Sequence, residues 1–270
     1  MTRRITIASQ KGGSGKTTVA LNLALALAER DHRTLLVDLD PQGAIGHSLR
    51  KQDTDLEGLA EVLVGDLAAD QAVLATKESR LALLPRGRLD PVDAVEFERS
   101  LIQKDRLAGV LQVAEEGFDF VVLDTPSGVG MPTRAALAVS HFVLVPVLGE
   151  PLGLRTIGQV LRVIEHVRQH DNPDLELLGI LPTMVDRAKD PSLNVLVAAW
   201  RELAGVLDTV IPRADVFVAA SETGLPLAYL GGPPSPEARR FDLLAGEVQA
   251  LVEQLARVDV RAERPARALL

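Results

Sequence analysis

The stretch Gln10-Lys-Gly-Gly-Ser-Gly-Lys-Thr-Thr18 directly follows a short apolar run and directly precedes a segment with helical periodicity. Glycines allow consecutive backbone N–H groups to turn toward one point, and the start of a helix adds free N–H groups and a positive dipole end. This spacing therefore predicts a loop that binds phosphate. Lys16 can neutralise the outer phosphates of a nucleotide, and the Thr17 hydroxyl can bind Mg²⁺.

The loop departs in one respect from the strict form of such motifs, which begins with glycine where this chain has Gln10. A second lysine, Lys11, stands at the loop entrance instead. Only six lysines occur in the chain and two lie here, which favours charge neutralisation over a glycine-rich turn with solvated lysines. The predicted nucleotide-binding residues of the loop are Lys11, Gly12, Gly13, Ser14, Gly15, Lys16, Thr17 and Thr18.

The composition excludes several classes of protein. Of the 270 residues, 47% are hydrophobic and 24% charged, which is typical of a folded globular chain. A net charge of −8 excludes a globally basic coat protein for nucleic acid, and the absence of cysteine excludes disulfide scaffolds, thiol catalysis and iron–sulfur ligation. No secretory signal is visible and no apolar run approaches the ~20 residues of a membrane helix, so we expect a cytoplasmic protein without membrane contact.

Short apolar runs alternate with segments of helix length. The runs lack the polar alternation of half-exposed strands, which predicts strands buried on both faces: Arg4–Ser9, Thr34–Leu39, Leu81–Pro85, Phe118–Asp124, Phe142–Leu148, Leu177–Leu181 and Thr209–Ile211. The predicted helices are Thr17–Arg30, Pro91–Glu116, Gly153–Gln169, Ser192–Val206 and a last helix from about Pro236. This order predicts an α/β fold with a single doubly wound, mostly parallel sheet. We expect one domain over residues 1–258 and a frayed tail over 259–270.

Three carboxylates stand where predicted buried strands end: Asp38, Asp40 and Asp124. In an open parallel sheet the carboxyl edge of the strands borders the ligand crevice. A buried carboxylate is costly unless it is paired or binds a metal, so three at one edge predict a cation site. Each could instead cap a following helix, and for Asp38 this alternative is as well supported as a functional role.

Four blocks of sequence resemble one known family. The loop from Lys11 to Thr18 resembles the deviant Walker A motif of the ParA/MinD group of P-loop ATPases. Leu36-Val-Asp-Leu-Asp-Pro-Gln-Gly43 is similar to a segment of the Soj-like ParA branch. Phe118-Asp-Phe-Val-Val-Leu-Asp-Thr-Pro126 resembles the Walker B and switch segment, and Val210-Ile-Pro-Arg213 a late strand end. The blocks occur in family order and the resemblance covers roughly residues 3 to 256.

The resemblance implies a Mg²⁺-dependent ATP hydrolase and assigns roles to individual residues. It implies that Asp124 holds Mg²⁺ through water, together with Thr17, and that Asp40 positions or activates the attacking water. Lys11 would be the signature lysine that reaches across a two-fold interface to the nucleotide of a partner chain. Lys16 and Lys11 would together stabilise charge in the transition state.

The base of the nucleotide is expected against the ends of late strands. The family resemblance indicates Thr183-Met184-Val185-Asp186 and Pro212-Arg213-Ala214, so Met184, Pro212 and Arg213 are candidate adenine contacts. Met184 could equally be an ordinary core residue. No Asn-Lys-x-Asp run specifies guanine, which favours ATP.

The resemblance further implies an ATP-dependent homodimer that binds DNA without sequence preference, under stimulation by a ParB-like partner. Such a nucleoid-associated protein segregates a plasmid or chromosome. The alternatives are a positioner of a protein cargo (carboxysomes or chemoreceptor clusters) and a non-catalytic dimerisation module locked by ATP. Candidate DNA contacts are Arg187, Lys189, Arg213, Arg239 and Arg240.

Two features bear on the choice of branch. The family often has another basic residue just beyond Ile-Pro-Arg, whereas this chain continues Ala214-Asp215-Val216-Phe217, which departs from the usual DNA face. Residues 257–270 contain a proline, two acids and no aromatic residue, a poor interfacial membrane anchor that argues against the MinD branch. No stretch before the loop could hold a helix-turn-helix, so we expect no sequence-specific contacts from an N-terminal domain.

Overall fold

The computed structural model describes residues 2–43, 45, 56–103, 105–186, 190–223, 225–231, 233 and 235–259. Its centre is a seven-stranded sheet in the order β3-β4-β2-β5-β1-β6-β7. The strands are β1 Arg3–Ile7, β2 Thr34–Asp38, β3 Leu74–Ala75, β4 Leu81–Leu84, β5 Phe120–Asp124, β6 Phe142–Leu148 and β7 Glu176–Thr183. All pairings are parallel except that of β3 with β4, at one edge. The predicted doubly wound α/β fold is confirmed.

Nine α-helices are described around the sheet. They are α1 Lys16–Glu29, α2 Leu59–Val64, α3 Ala94–Ile102, α4 Arg106–Ala114, α5 Met131–Val139, α6 Pro151–His170, α7 Asp190–Glu202, α8 Val216–Thr223 and α9 Pro236–Asp259. Helix α1 is apolar on nearly all sides and is buried from Val19 to Ala28, because it lies between the sheet and α9. The helix that carries the predicted phosphate loop is therefore the most enclosed one described.

The register of the central strands brings the carboxylates and the loop to one edge. Asp38 at the end of β2 pairs with Asp124 at the end of β5, and Asp124 pairs in turn with Ile7 at the end of β1. The Leu39 amide donates to the Asp124 carbonyl at 3.0 Å. Because the loop leaves β1 at this same edge, phosphate and metal ligands can meet there.

The predicted strand Thr209–Ile211 is wrong. The segment runs beside β7 through the isolated bridges Ile180–Val206 and Val185–Pro212 but forms no ladder. The Glu247 carboxylate accepts hydrogen bonds from the amides of Asp208 (2.8 Å) and Thr209 (3.0 Å). The Thr209 amide is therefore satisfied by α9, whereas the Ile211 amide still donates to the Pro182 carbonyl of β7 at 2.9 Å.

The predicted single helix Pro91–Glu116 is also wrong. A 3-10 turn at Pro91–Asp93 leads into α3, and α4 begins only at Arg106. Gln103 ends α3 in an extended conformation and Asp105 is left-handed at φ 61°, so the chain cannot continue as one helix. Helices α3 and α4 therefore pack against α2 and α5 as two separate segments, a break that periodicity alone does not reveal.

Two further predictions concern membrane-spanning helices and the C-terminal end of the chain. Among the described residues, no helix is both long and apolar enough to cross a membrane. The last helix begins at Pro236, as predicted, and continues to Asp259. Residues 260–270 lie outside the described residues, so the frayed tail stays a prediction.

We expect a histidine at the opposite edge of the sheet, His141, to make the free energy of unfolding depend on pH. The Arg4 amide donates to His141 Nδ1 at 3.1 Å, which requires an unprotonated nitrogen. Burial, followed by the charges of Arg4 and Arg3, lowers the pKa of His141. The unfolded state therefore binds more protons below the ordinary pKa of about 6.5, so the free energy of unfolding should fall as the pH drops from there through the lowered native pKa.

Denaturant unfolding between pH 7.5 and 5 should show that His141→Asn flattens this dependence, because the asparagine oxygen accepts the same hydrogen bond without titrating. The exposed His166→Asn is the matched control and should keep the wild-type profile. A steeper profile for His141→Asn than for the wild type would contradict the assignment.

Candidate nucleotide-binding site

The loop between β1 and α1 has the conformation that its glycines were expected to permit. Gly13 and Gly15 lie in the left-handed region at φ 74° and 80°. A Cβ at Gly13 would meet nothing within 4 Å, and one at Gly15 would meet only Met184 Cε at 3.8 Å. Backbone conformation rather than crowding therefore requires glycine here. Helix α1 follows directly, with the Val19 amide donating to the Gly15 carbonyl at 2.8 Å.

Lys16 lies under this loop with its side chain out of solvent. The residue is 6% exposed, and its Nζ donates to Ser127 Oγ at 3.3 Å. Burial lowers the pKa of the Lys16 ammonium, and the charges of Asp124 and Asp40 partly offset that effect. The structure thus brings the predicted lysine and two predicted carboxylates together. Sequence reasoning did not identify Ser127.

Asp124 is the most strongly perturbed acid of the site. It is fully buried, and neither carboxylate oxygen makes a hydrogen bond of standard geometry with a described residue. Burial raises its pKa well above the usual range and Asp38 raises it further, while the Thr17 hydroxyl and Lys16 act in the opposite direction. A carboxylate and a hydroxyl are the hard oxygen donors that Mg²⁺ prefers, so the residues present fit this ion.

Asp38 has a structural role. Its Oδ1 accepts from the Asp40 amide at 3.0 Å, and its Oδ2 accepts from the Ile45 amide at 3.1 Å. Burial raises its pKa, and these two hydrogen bonds work against that rise. Both oxygens are therefore engaged in holding the segment after β2, which agrees with the capping alternative.

Asp40 lies in a turn that is fixed from two sides. Its Oδ1 accepts from the Gln42 amide at 2.9 Å, and its carbonyl accepts from the Gly43 amide at 2.8 Å. Arg86, just after β4, donates through Nη1 to the Pro41 carbonyl at 2.7 Å. Arg86 thus holds the turn that carries Asp40, and nothing in its local sequence indicated this.

Unsatisfied polar atoms are concentrated at this edge. Among the described residues, the buried side-chain nitrogen and oxygen atoms without a hydrogen-bond partner are Gln10 Oε1, Ser14 Oγ and both Asp124 oxygens. Such atoms are rare in folded proteins, because each costs free energy comparable to a lost hydrogen bond. Their clustering around one loop indicates a polar ligand.

Lys11 lies at the loop entrance and makes an ion pair within its own chain. Its Nζ is 3.5 Å from Glu150 Oε2, and the two side chains are 39% and 51% exposed. An exposed pair of this kind contributes about 0–1 kcal/mol, so it does not commit Lys11 to one position. Glu150 stands directly before α6, and its contact with Lys11 was not predicted from sequence.

A small cavity lies where the base was expected. It is lined by Gly15, Thr18, Val19, Thr183, Met184, Ile211, Pro212 and Phe217. Met184 has a positive φ of 54°, and Thr183 Oγ1 donates to the Ser14 carbonyl at 2.9 Å, which ties the cavity to the phosphate loop. Met184 and Pro212 thus face the cavity, whereas the exposed Arg213 is not among its lining residues.

The candidate DNA contacts are only partly placed. Arg187 and Lys189 lie outside the described residues. Arg213 and Arg239 are exposed and Arg240 is half-buried. None of these three arginines forms an ion pair with any part of the chain that the structure describes.

Comparison with known proteins agrees with this geometry. The sequence model of a family described as AAA domain matches residues 2–177. The sporulation initiation inhibitor protein Soj of Bacillus subtilis is 32% identical over 93% of this chain and 99% of that protein. The chromosome partitioning protein ParA of Myxococcus xanthus is 35% identical over 78% of this chain and 75% of that protein.

Solved structures point the same way. A structure titled cobyrinic acid a,c-diamide synthase from Mycobacterium smegmatis, with bound ADP and magnesium, has a TM-score of 0.75 and 33% identity, covering 99% of this chain and 100% of that one. The cell division ATPase MinD of Pyrococcus furiosus has a TM-score of 0.73 and 26% identity, covering 93% and 100%. The predicted resemblance is confirmed, and the chain belongs to the AAA-domain family as a P-loop ATPase of the ParA/MinD type.

Proposed function

We propose that this protein hydrolyses ATP with Mg²⁺ and uses the cycle of ATP binding and hydrolysis to partition DNA. The observation that carries the proposal is the meeting of Lys16, Asp40 and Asp124 at the end of a glycine loop with unsatisfied buried polar atoms. The names of the relatives Soj and ParA support a role in chromosome partitioning. ATP and Mg²⁺ agree with the ADP and magnesium bound in the M. smegmatis structure.

The residues divide the chemistry as follows. Backbone amides from Gly12 to Thr17 bind the phosphates, and the buried Lys16 ammonium stabilises negative charge on the outer ones. Asp124 and Thr17 would hold Mg²⁺, which supplies Lewis-acid stabilisation of the phosphoryl group when bound. Asp40 orients the water for in-line attack on the γ-phosphate, and Arg86 keeps the turn of Asp40 in place.

Dimerisation would complete the site. Lys11 exchanges the weak contact with Glu150 for the phosphates of a partner's nucleotide, a stronger electrostatic partner than one exposed carboxylate. The monomer then hydrolyses slowly, because one charge needed in the transition state is turned toward its own chain. A ParB-like partner would act on this dimer.

DNA binding would use a local basic patch, since the net charge is −8. Arg213, Arg239 and Arg240 have no carboxylate partners among the described residues and so can contact phosphates. Contacts of this kind are insensitive to sequence and sensitive to salt.

The test is binding to an arbitrary DNA duplex at several salt concentrations, with ATP, ADP or no nucleotide. We expect tight and steeply salt-dependent binding with ATP alone. Lys11→Ala should bind ATP but lose both the dimer and the ATP-dependent DNA complex. Equal DNA binding with ATP, with ADP and without nucleotide would refute the proposal that ATP controls DNA binding.

The double variant Arg239→Ala/Arg240→Ala should weaken DNA binding and flatten its salt dependence. Each lost phosphate contact lowers, by about 0.9, the magnitude of the slope of log binding constant against log salt concentration. The matched control is Arg80→Ala/Arg99→Ala, which removes the same charge from exposed arginines already paired with Asp31 and Glu96. Equal slopes for the two double variants would remove Arg239 and Arg240 from the DNA surface.

Single-turnover hydrolysis, with and without DNA, distinguishes this function from a non-catalytic dimer locked by ATP. If ATP persists unhydrolysed in a stable dimer under both conditions, the locked-dimer alternative holds. Hydrolysis without any affinity for DNA would instead favour a protein cargo.

A further inference from the structure

Ser127 lies in the loop between β5 and α5, three residues after Asp124, and its side chain points at the phosphate loop. Its Oγ is the hydrogen-bond acceptor for Lys16 Nζ at 3.3 Å. From the other side it lies over Gly12, because a Cβ built on Gly12 would be 3.4 Å from the same oxygen. The hydroxyl is thus placed between the loop entrance and the lysine.

The loop that carries Ser127 is anchored to β1 and the residues just after it. Thr125 Oγ1 donates to the Ile7 carbonyl at 2.8 Å, and the Gly128 amide donates to the Ser9 carbonyl at 3.1 Å. Thr133 Oγ1 donates to the Gly128 carbonyl at 2.9 Å. These hydrogen bonds therefore fix the position of Ser127 next to the phosphate loop, although the residue itself is exposed.

In the ligand-free protein, the Ser127 hydroxyl accepts one hydrogen bond but its own O–H donates none to the described residues. A serine hydroxyl that accepts from an ammonium still has its own O–H to donate. Within the described part of the chain, no acceptor for that proton is found. Lys16 binds the outer phosphates in the function proposed above, so a phosphate oxygen held by Lys16 Nζ comes within reach of Ser127 Oγ.

We propose that Ser127 donates its hydroxyl proton to the terminal phosphate of ATP and thereby distinguishes ATP from ADP. This inference rests on the proposed function and adds a residue to it. The oxygen that accepts from Lys16 without nucleotide becomes a donor to the γ-phosphate when ATP binds. ADP has no group at that position, so Ser127 contributes nothing to its binding.

The experiment measures equilibrium binding of a non-hydrolysable ATP analogue and of ADP, each with Mg²⁺, to the wild type and to Ser127→Ala. Loss of a hydrogen bond to a charged acceptor should weaken analogue binding roughly 10- to 100-fold and leave ADP binding within about twofold. Ser79→Ala is the control, an exposed serine before β4 and so at the opposite edge of the sheet. Thermal unfolding without nucleotide should be the same for the wild type and Ser79→Ala, and only slightly lower for Ser127→Ala, which removes one acceptor of Lys16 Nζ.

The outcomes separate the inference from the function on which it rests. Equal affinities of Ser127→Ala and the wild type for the analogue would overturn the role of Ser127 and leave the proposed function standing. An equal loss for the analogue and ADP would assign Ser127 to loop structure and also overturn it. A wild type that binds neither nucleotide would refute both.

Discussion

Lys16→Ala should reduce ATP turnover by at least about 1,000-fold. Removing one preorganised donor from a charged transition state costs about 100- to 1,000-fold, and Lys16 supplies a full charge from a side chain that is almost entirely buried. The variant should also bind Mg-ATP more weakly, since the ammonium contacts phosphate in the ground state. Phosphate release at saturating ATP measures the first effect, and calorimetric titration measures the second.

The exposed Lys77→Ala removes the same charge far from the loop and should keep wild-type turnover. Retained turnover in Lys16→Ala would refute the assignment of Lys16 as the phosphate-binding lysine, because no other described lysine is buried at the loop. Loss of turnover in both variants would indicate a dependence on net charge rather than on the site.

Asp124→Asn should have opposite effects on stability and activity. Burial and the neighbouring Asp38 make a charged Asp124 costly, as the raised pKa shows, and the isosteric amide removes that charge. The protein without nucleotide should therefore gain about 1–2 kcal/mol of stability, equivalent to a melting temperature a few degrees higher. Mg²⁺-dependent turnover should fall at least 100-fold, because a neutral amide binds this ion more weakly than a carboxylate does.

Differential scanning calorimetry without nucleotide and turnover with Mg-ATP measure the two effects on one protein preparation. The exposed Asp70→Asn should change neither quantity. A lower melting temperature for Asp124→Asn would mean that the carboxylate is already compensated by its neighbours. The assignment of Asp124 to a cation site would then lose its physical basis.

Local chemistry made much of this protein predictable from its sequence. The buried strands were recognisable because parallel strands covered on both faces are continuously apolar, and six of the seven predicted runs are strands. The phosphate loop was recognisable because Gly13 and Gly15 meet a backbone requirement that few other residues satisfy. Asp124 was recognisable because a carboxylate at the end of a buried strand needs a partner.

The rest depends on contacts between distant parts of the chain. Glu247 accepts from the Thr209 amide, which a strand at Thr209–Ile211 would have used, from 38 residues away. Arg86 reaches Pro41 across 45 residues, and Ser127 reaches Lys16 across 111. No local pattern distinguishes these side chains from others of the same type, so their roles became visible only with the tertiary structure.

The unmet hydrogen bonds around Gln10 and Ser14 also have a kinetic consequence. Segments that gain little from staying closed are the first to open transiently, so we expect residues 10–15 to open more readily in the ligand-free protein than in the nucleotide-bound one. A bound nucleotide protects this segment for as long as it remains in place. We therefore expect proteases to cleave the ligand-free protein at this loop faster than the nucleotide-bound protein.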